Sequence, residues 1–368
     1  MNKAIQIGGS LMPIAVILTR LPMATWLGLT SGSAVALSVL ITGGAVYAET
    51  AQTGSSVVRI EGSSTVHPFT QAAIRLYRSR AGTAISFRSE PTGTTAGLRV
   101  FCRGGINIAA ASRPMNASEL KACADKGIRF LELPVAFDAI SVVVPASNTW
   151  ARQISTGELR RLWSREAQGR VLRWRQVNAR WPDEPISLCG PGQDSGTYDS
   201  FNKAINGNEE NARQDYTASE DDEVLVRCVA NNPLALGYFG YDYFQTNRNS
   251  LRALAINGPR GLVLPSEQSV QQSRYQPLSR PLFYYVNDQQ LRSNSALRQF
   301  VNTTLQNGGR IARQARLIPL QDSTYRLVTS KMYKRVLGSA FAGQLPLGLT
   351  VGQILERSFD ALKKPEYR

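Results

Sequence analysis

Apolar positions along the chain follow two periods. Short runs at Val57–Glu61, Ala84–Arg88 and Ile106–Ala111 read as strands. Between them, Phe69, Ala72, Ala73, Leu76 and Tyr77 recur at helical spacing, and Leu98 and Phe101 open a second helix. Leu120 to Lys126 predicts a third helix, and Phe130–Val135 and Ala139–Val144 two further strands. After Pro145-Ala146-Ser147-Asn148 the alternation resumes. Helix is expected at Thr156–Trp163, strand at Pro185–Leu188, helix from Tyr198 to Ile205, helix at Glu223–Ala230 and strand at Ala235–Phe239. The apolar run Arg280–Val286 returns the chain to the first unit. Strand and helix in alternation predict an α/β protein. The expected organisation is a first lobe over 57–144, a second over 145–275, a return over 276–335 and an accessory tail over 336–368. The tail carries one short amphipathic helix (Val351, Ile354, Leu355, Phe359, Leu362), and no internal repeat or heptad pattern is present.

The first 48 residues break this pattern. They hold no Asp or Glu, are charged only at Lys3 and Arg20, and are apolar or small from Leu21 to Ile41. Val46-Tyr47-Ala48 ends in the small residue a signal peptidase needs, so the segment reads as a secretory signal cut after Ala48, giving a periplasmic protein. The alternative is an uncleaved membrane anchor. Cys102 is the first cysteine, which excludes a lipoprotein anchor at this site.

Composition narrows the chemistry. The 368 residues suffice for about two domains, and 43% hydrophobic residues suffice for packed cores. Charged residues are only 19%, yet the formal balance is +15, which favours anionic partners. A single histidine, His67, rules out multi-histidine metal sites. In an oxidising compartment Cys102, Cys123, Cys189 and Cys228 read as disulfide partners. They lack CxxC spacing, and of three pairings the sequence-neighbour set, Cys102–Cys123 and Cys189–Cys228, is the simplest.

Three segments share one design: Gly62-Ser63-Ser64-Thr65, Gly93-Thr94-Thr95 and Asp194-Ser195-Gly196-Thr197. Each follows an expected strand and precedes an expected helix. First-turn N–H groups have no partner inside a helix, and the helix dipole is positive there. Glycine admits close approach of a ligand, and short hydroxyls add donors. Converging on one cleft, with a fourth strand end at Ser112-Arg113, such starts would form an oxyanion site. Taken singly, each is also ordinary N-capping.

These segments also carry a resemblance. Ile60 to Pro68, Ile108-Ala109-Ala110-Ala111-Ser112-Arg113-Pro114, Asp194 to Phe201, Ala218 to Val226 and Leu236-Gly237-Tyr238-Phe239-Gly240-Tyr241 resemble the PstS family of periplasmic phosphate-binding receptors of ABC transporters. The Trp163, Trp174, Trp181-Pro182-Asp183 spacing and the tail are most similar to its cyanobacterial, SphX-like branch. The resemblance implies a class II periplasmic-binding-protein fold, with two α/β lobes and the anion in the cleft between them. It implies inorganic phosphate as ligand, delivery to ABC permease subunits, no cofactor, no metal, no catalysis and a monomer. Carried over residue by residue, Ser64, Thr65 and Thr94 bind phosphate from the first lobe, and Ser195, Gly196 and Thr197 from the second. Ser63 and Thr95 are their neighbours, and Ser112 belongs to the fourth strand end. Two positions depart from the family pattern. Arg113 stands where an Asp is usual, and Pro191 where an Arg is usual. The expectation is that Arg113 supplies the charge, as a planar fork suited to a tetrahedral anion. Asp194 would then accept the proton of monohydrogen phosphate; the alternative is that Arg113 and Asp194 pair with each other across the cleft.

The same fold could serve another oxyanion, or act as a sensor. A serine hydrolase would use Ser195, but Asp194-Ser195-Gly196 lacks the G-x-S-x-G elbow, and His67 is the sole histidine available as base. His67 is better read as packing beside the first loop. Glu220-Asp221-Asp222 reads as acidic residues at a helix start rather than a metal cluster. The seven Arg from Arg160 to Arg180 among tryptophans read as a solvated basic face over tryptophan packing, not a nucleic-acid surface.

Overall fold

The computed structural model describes residues 57–81, 85–208, 210–342 and 349–361; the expected leader and its cleavage point lie outside them. The first half opens with β1 (Val57–Gly62), α1 (His67–Ala81), β2 (Ser86–Glu90), α2 (Thr94–Phe101), β3 (Ile108–Ala111) and α3 (Ala117–Asp125). β4 (Phe130–Pro145) then leads into β5 (Gln153–Ser155), α4 (Thr156–Trp163), α5 (Trp174–Val177), β6 (Ser187–Pro191) and α6 (Gly196–Asn206). β7 (Thr217–Ser219), α7 (Asp222–Ala230), β8 (Ala235–Gly240), α8 (Tyr241–Thr246), β9 (Leu251–Ala253), β10 (Ala255–Gly258), β11 (Gly261–Val263) and α9 (Glu267–Gln271) follow. β12 (Ser279–Asn287) brings the chain back. Helices α10 (Asp288–Ser293), α11 (Ser295–Gln306), α12 (Gly308–Gln314), α13 (Asp322–Tyr333) and α14 (Val351–Ala361) end it.

Nine of these strands form one sheet in the order β2-β1-β3-β12-β4-β8-β6-β7, with β9 also on β4. A three-stranded sheet, β11-β10-β5, stands apart from it. The two strands expected at Phe130–Val135 and Ala139–Val144 are one 16-residue strand, buried along its whole length. Its first part, through Ala139, pairs with β12, and from Ile140 it pairs with β8 and β9. A strand covered on both faces reads as a continuous apolar run. Ala136-Phe137-Asp138 looks like a break in the sequence because Asp138 interrupts that run. β12 in turn pairs with β3 on its other side. β4 and β12 therefore tie β1–β3 to β6–β8, each of these sets internally parallel and antiparallel to its neighbour on the crossing strands.

The disulfides are Cys102–Cys123 and Cys189–Cys228, the sequence-neighbour pairing. The first joins the end of α2 to α3, and the second joins β6 to α7. The tryptophans of the Arg-rich stretch are core. Trp163, Trp174 and Trp181 are buried, Trp150 packs against Trp174 and Trp181, and Trp163 meets Phe201, Tyr216 and Tyr238. α14 packs on α13 through Val351, Ile354 and Leu355. No described helix is long and apolar enough to cross a membrane.

Candidate functional site

The first loop is fixed by backbone packing. Gly62 has φ +137, and a Cβ there would lie 2.0 Å from the Ala110 carbonyl oxygen. Only glycine fits a left-handed position at such close approach. The Ser63 N–H donates to Ala110 O (2.9 Å) and the Gly93 N–H to Gly62 O (2.8 Å). The loop after β1 is thereby docked on the end of β3 and on the start of α2. Thr94 joins a third strand end. Its Oγ1 accepts from the Ser112 N–H (3.2 Å) and shares a hydrogen bond with Ser112 Oγ (3.2 Å). Further along, Met115 N–H donates to Tyr285 Oη (2.8 Å), which donates to Glu132 on β4 (2.9 Å). The strand end at Ser112-Arg113 is thus anchored to the crossing strands.

The second half meets this arrangement through the N-terminus of α6. A Cβ on Gly196 would lie 2.8 Å from Thr65 Oγ1 and 3.0 Å from Ser64 Oγ. The glycine at this helix start lets the two halves touch. Between them lies a cleft of about 700 Å³, lined by Ser63, Ser64, Thr65, Thr94, Thr95, Ser112, Arg113 and Gly196 among the expected residues. Asp194, Ser195 and Thr197 do not line it. Asp194 is exposed, and its N–H donates to Glu220 (3.3 Å). Ser195 is the N-cap of α6, its Oγ accepting from the Thr197 N–H (3.1 Å), which is the capping alternative for this loop.

Arg113 lines the cleft, but its fork is occupied. Nη1 and Nη2 each lie 2.8 Å from an oxygen of Glu119, and Nη2 also donates to Thr95 (3.0 Å). Glu119 belongs to the capping box of α3, so the pair is held from both sides. The Glu119 carboxylate holds the Arg113 guanidinium even more firmly protonated than usual. The partner of Arg113 is therefore Glu119, six residues on, and not Asp194.

Sequence reading missed several cleft-lining residues, among them Asp138 on β4, Arg280 on β12, Arg99 on α2, and Ser200 and Lys203 on α6. Asp138 and Arg280 are cross-strand partners, with Arg280 Nε donating to Asp138 Oδ2 (3.2 Å). Arg280 Nη2 also donates to Thr65 Oγ1 (3.0 Å) and to Ser200 Oγ. The signal available was the carboxylate inside the apolar run of β4, since charges in buried strands are rare unless paired. His67 sits beside the loop, its ring nitrogens meeting Gln71 (3.2 Å) and Ser89 (3.3 Å), and burial lowers its pKa. Glu220-Asp221-Asp222 forms the start of α7, with Asp221 as N-cap, and no metal-ligating cluster occurs among the described residues.

A cleft of hydroxyls and helix starts between two α/β halves joined by crossing strands is the architecture of a periplasmic-type binding protein. A family model, "PBP superfamily domain", matches residues 47–306. Protein SphX of Synechocystis sp. is 41% identical over 323 residues, covering 88% of this chain and 95% of that protein. Phosphate-binding protein PstS of Staphylococcus haemolyticus is 31% identical, covering 72% and 82%. Among solved structures, a possible phosphate binding protein from Planctomyces limnophilus aligns with a TM-score of 0.71 at 33% identity, over 76% of this chain and 98% of its own. The chain belongs to the PstS family of phosphate-binding proteins, within its SphX-like branch.

Proposed function

We propose that this protein is a periplasmic receptor that binds inorganic phosphate between its halves and delivers it to the permease of an ABC transporter. The observation that carries this reading is the convergence of the Ser63-Ser64-Thr65 loop, Thr94 and Ser112 opposite the N-terminus of α6, in one cleft of a PstS-family chain. Neutral donors held by rigid backbone suit a small anion, because they need little reorganisation on binding. Approach of the two halves then encloses the ligand, and the closed form is the one a permease distinguishes. On this reading the 1–48 segment is an export signal and the receptor works as a monomer.

A binding role rather than catalysis is supported at Ser195. Its hydroxyl accepts the capping bond of α6, and the ring nitrogens of His67 meet Gln71 and Ser89, which supports a binding role over a Ser195–His67 nucleophile and base. Titration calorimetry on phosphate-stripped protein should give one phosphate per chain, with arsenate competing and sulfate competing poorly. A generic phosphate ester should not be turned over. Turnover, or absence of phosphate binding, would refute the reading.

A further inference from the structure

Arg280 occupies a position that neither the resemblance nor the loop pattern anticipates. It sits at the start of β12, one of the two strands that cross between the halves, directly opposite Asp138 on the other crossing strand. Its guanidinium touches three separate parts of the fold. Nε donates to Asp138, and Nη2 donates to Thr65 on the first-half loop and to Ser200 on α6 of the second half. The side chain is 24% exposed and lines the cleft. A guanidinium has five N–H donors in a fixed plane, and these contacts use those of Nε and Nη2, leaving the Nη1 pair on the same rigid fork.

We infer that Arg280 is the cation of the anion site and also the clasp that couples anion capture to the approach of the two halves. The inference rests on the phosphate reading above. Of the other cations that line the cleft, Arg113 has its fork on Glu119, and Arg99 and Lys203 each sit on a helix of one half, whereas Arg280 bonds to both halves. Arg280 is paired with Asp138, which aims the guanidinium into the cleft. Thr65 and Ser200 belong to opposite halves, so both bonds to Nη2 hold together only when the halves are near. Because Asp138 and Arg280 are register partners of the crossing strands, any bend of those strands moves the charged group with it. An anion bound against Arg280 would therefore favour the arrangement in which Thr65 and Ser200 converge, and closure would strengthen the contact in return.

The test compares wild type with Arg280→Gln, Arg280→Lys and Ser200→Ala. Phosphate affinity is measured by titration calorimetry and closure by the phosphate-induced contraction in small-angle scattering, with melting temperature reporting folding. Arg280→Gln is expected to weaken phosphate binding more than tenfold and to abolish the contraction. Arg280→Lys should recover part of the affinity, as charge returns, but little of the contraction, because an ammonium lacks the planar fork. Ser200→Ala leaves the charge in place and removes the second-half contact. It should weaken binding about threefold and reduce the contraction without lowering the melting temperature. If folded Arg280→Gln binds within twofold of wild type and contracts equally, the inference is overturned while the phosphate reading stands. Should Arg280→Gln not fold, unchanged affinity and contraction in Ser200→Ala overturn it. Failure of wild type to bind phosphate would remove the underlying reading instead.

Discussion

Gly196 has no side chain at a place where the two halves touch across the cleft. A methyl group there would press on Thr65 Oγ1 at 2.8 Å and Ser64 Oγ at 3.0 Å. Gly196→Ala should weaken phosphate binding about tenfold, or ~1.4 kcal/mol, in calorimetry while the melting temperature changes little, because the clash arises at the cleft and not in the core. Arg113→Ala should cost less than threefold in the same titration, well below the effect at Arg280, because the Arg113 fork is held by Glu119. Asp222 gives a stability test. Burial, then the neighbouring Asp221, pushes its carboxyl up to about 6, against the opposing charge of Arg316. An acid whose folded pKa is raised contributes stability that is fully present below its ordinary value near 4 and lost as pH rises through about 6. Asp222→Asn should therefore stabilise the fold at pH 8 by on the order of 1 kcal/mol after solvent screening, read as a higher melting temperature, and leave the melting temperature unchanged near pH 4. At this scale the hydroxyl loops were legible because each is a local pattern. Asp138 and Arg280 were not, because 142 residues separate them and strand register alone makes them neighbours.

Among elements, the crossing strand β4 shows how pattern reading fails. Two short strands were expected, and one continuous strand changes partners between Ala139 and Ile140. Hydrophobic alternation reports which faces are buried, not which strand lies alongside, so a change of partner leaves no mark in the sequence. The carboxylate within the run is the mark of the site instead. The Cys189–Cys228 bridge works at the same scale, tying β6, which leads into the α6 loop, to α7. It closes a sequence separation of 39 residues. Replacing both cysteines with serine should lower unfolding free energy by about 4 kcal/mol in urea titration, the loss expected for a loop of that length. The Cys102–Cys123 bridge, with a separation of 21, should show a slightly smaller loss.

For the whole molecule, charge and closure are the testable properties. The excess of +15 is spread over 42 basic residues, while the cleft combines neutral donors with cations that include Arg113 and Arg280, held by Glu119 and Asp138. The basic surface should therefore act on encounter more than on the bound state. The phosphate association rate in stopped flow should fall several-fold from low to high salt, with a smaller change in the dissociation rate. By itself the sequence determined the alternation of strand and helix, the hydroxyl-and-glycine helix starts and the family to which the chain belongs. Those features are local, being set by side-chain period, capping chemistry and glycine geometry within a few residues. Tertiary structure alone decided which of the starts face the cleft, that Ser195 caps its helix instead, that Arg113 is held by Glu119, and that Arg280 lies between the halves. Facing the cleft and lying between the halves depend on strand register and on contacts between distant segments, which no local pattern encodes; the Ser195 cap and the Arg113–Glu119 pair are short-range contacts that the sequence allowed without singling out.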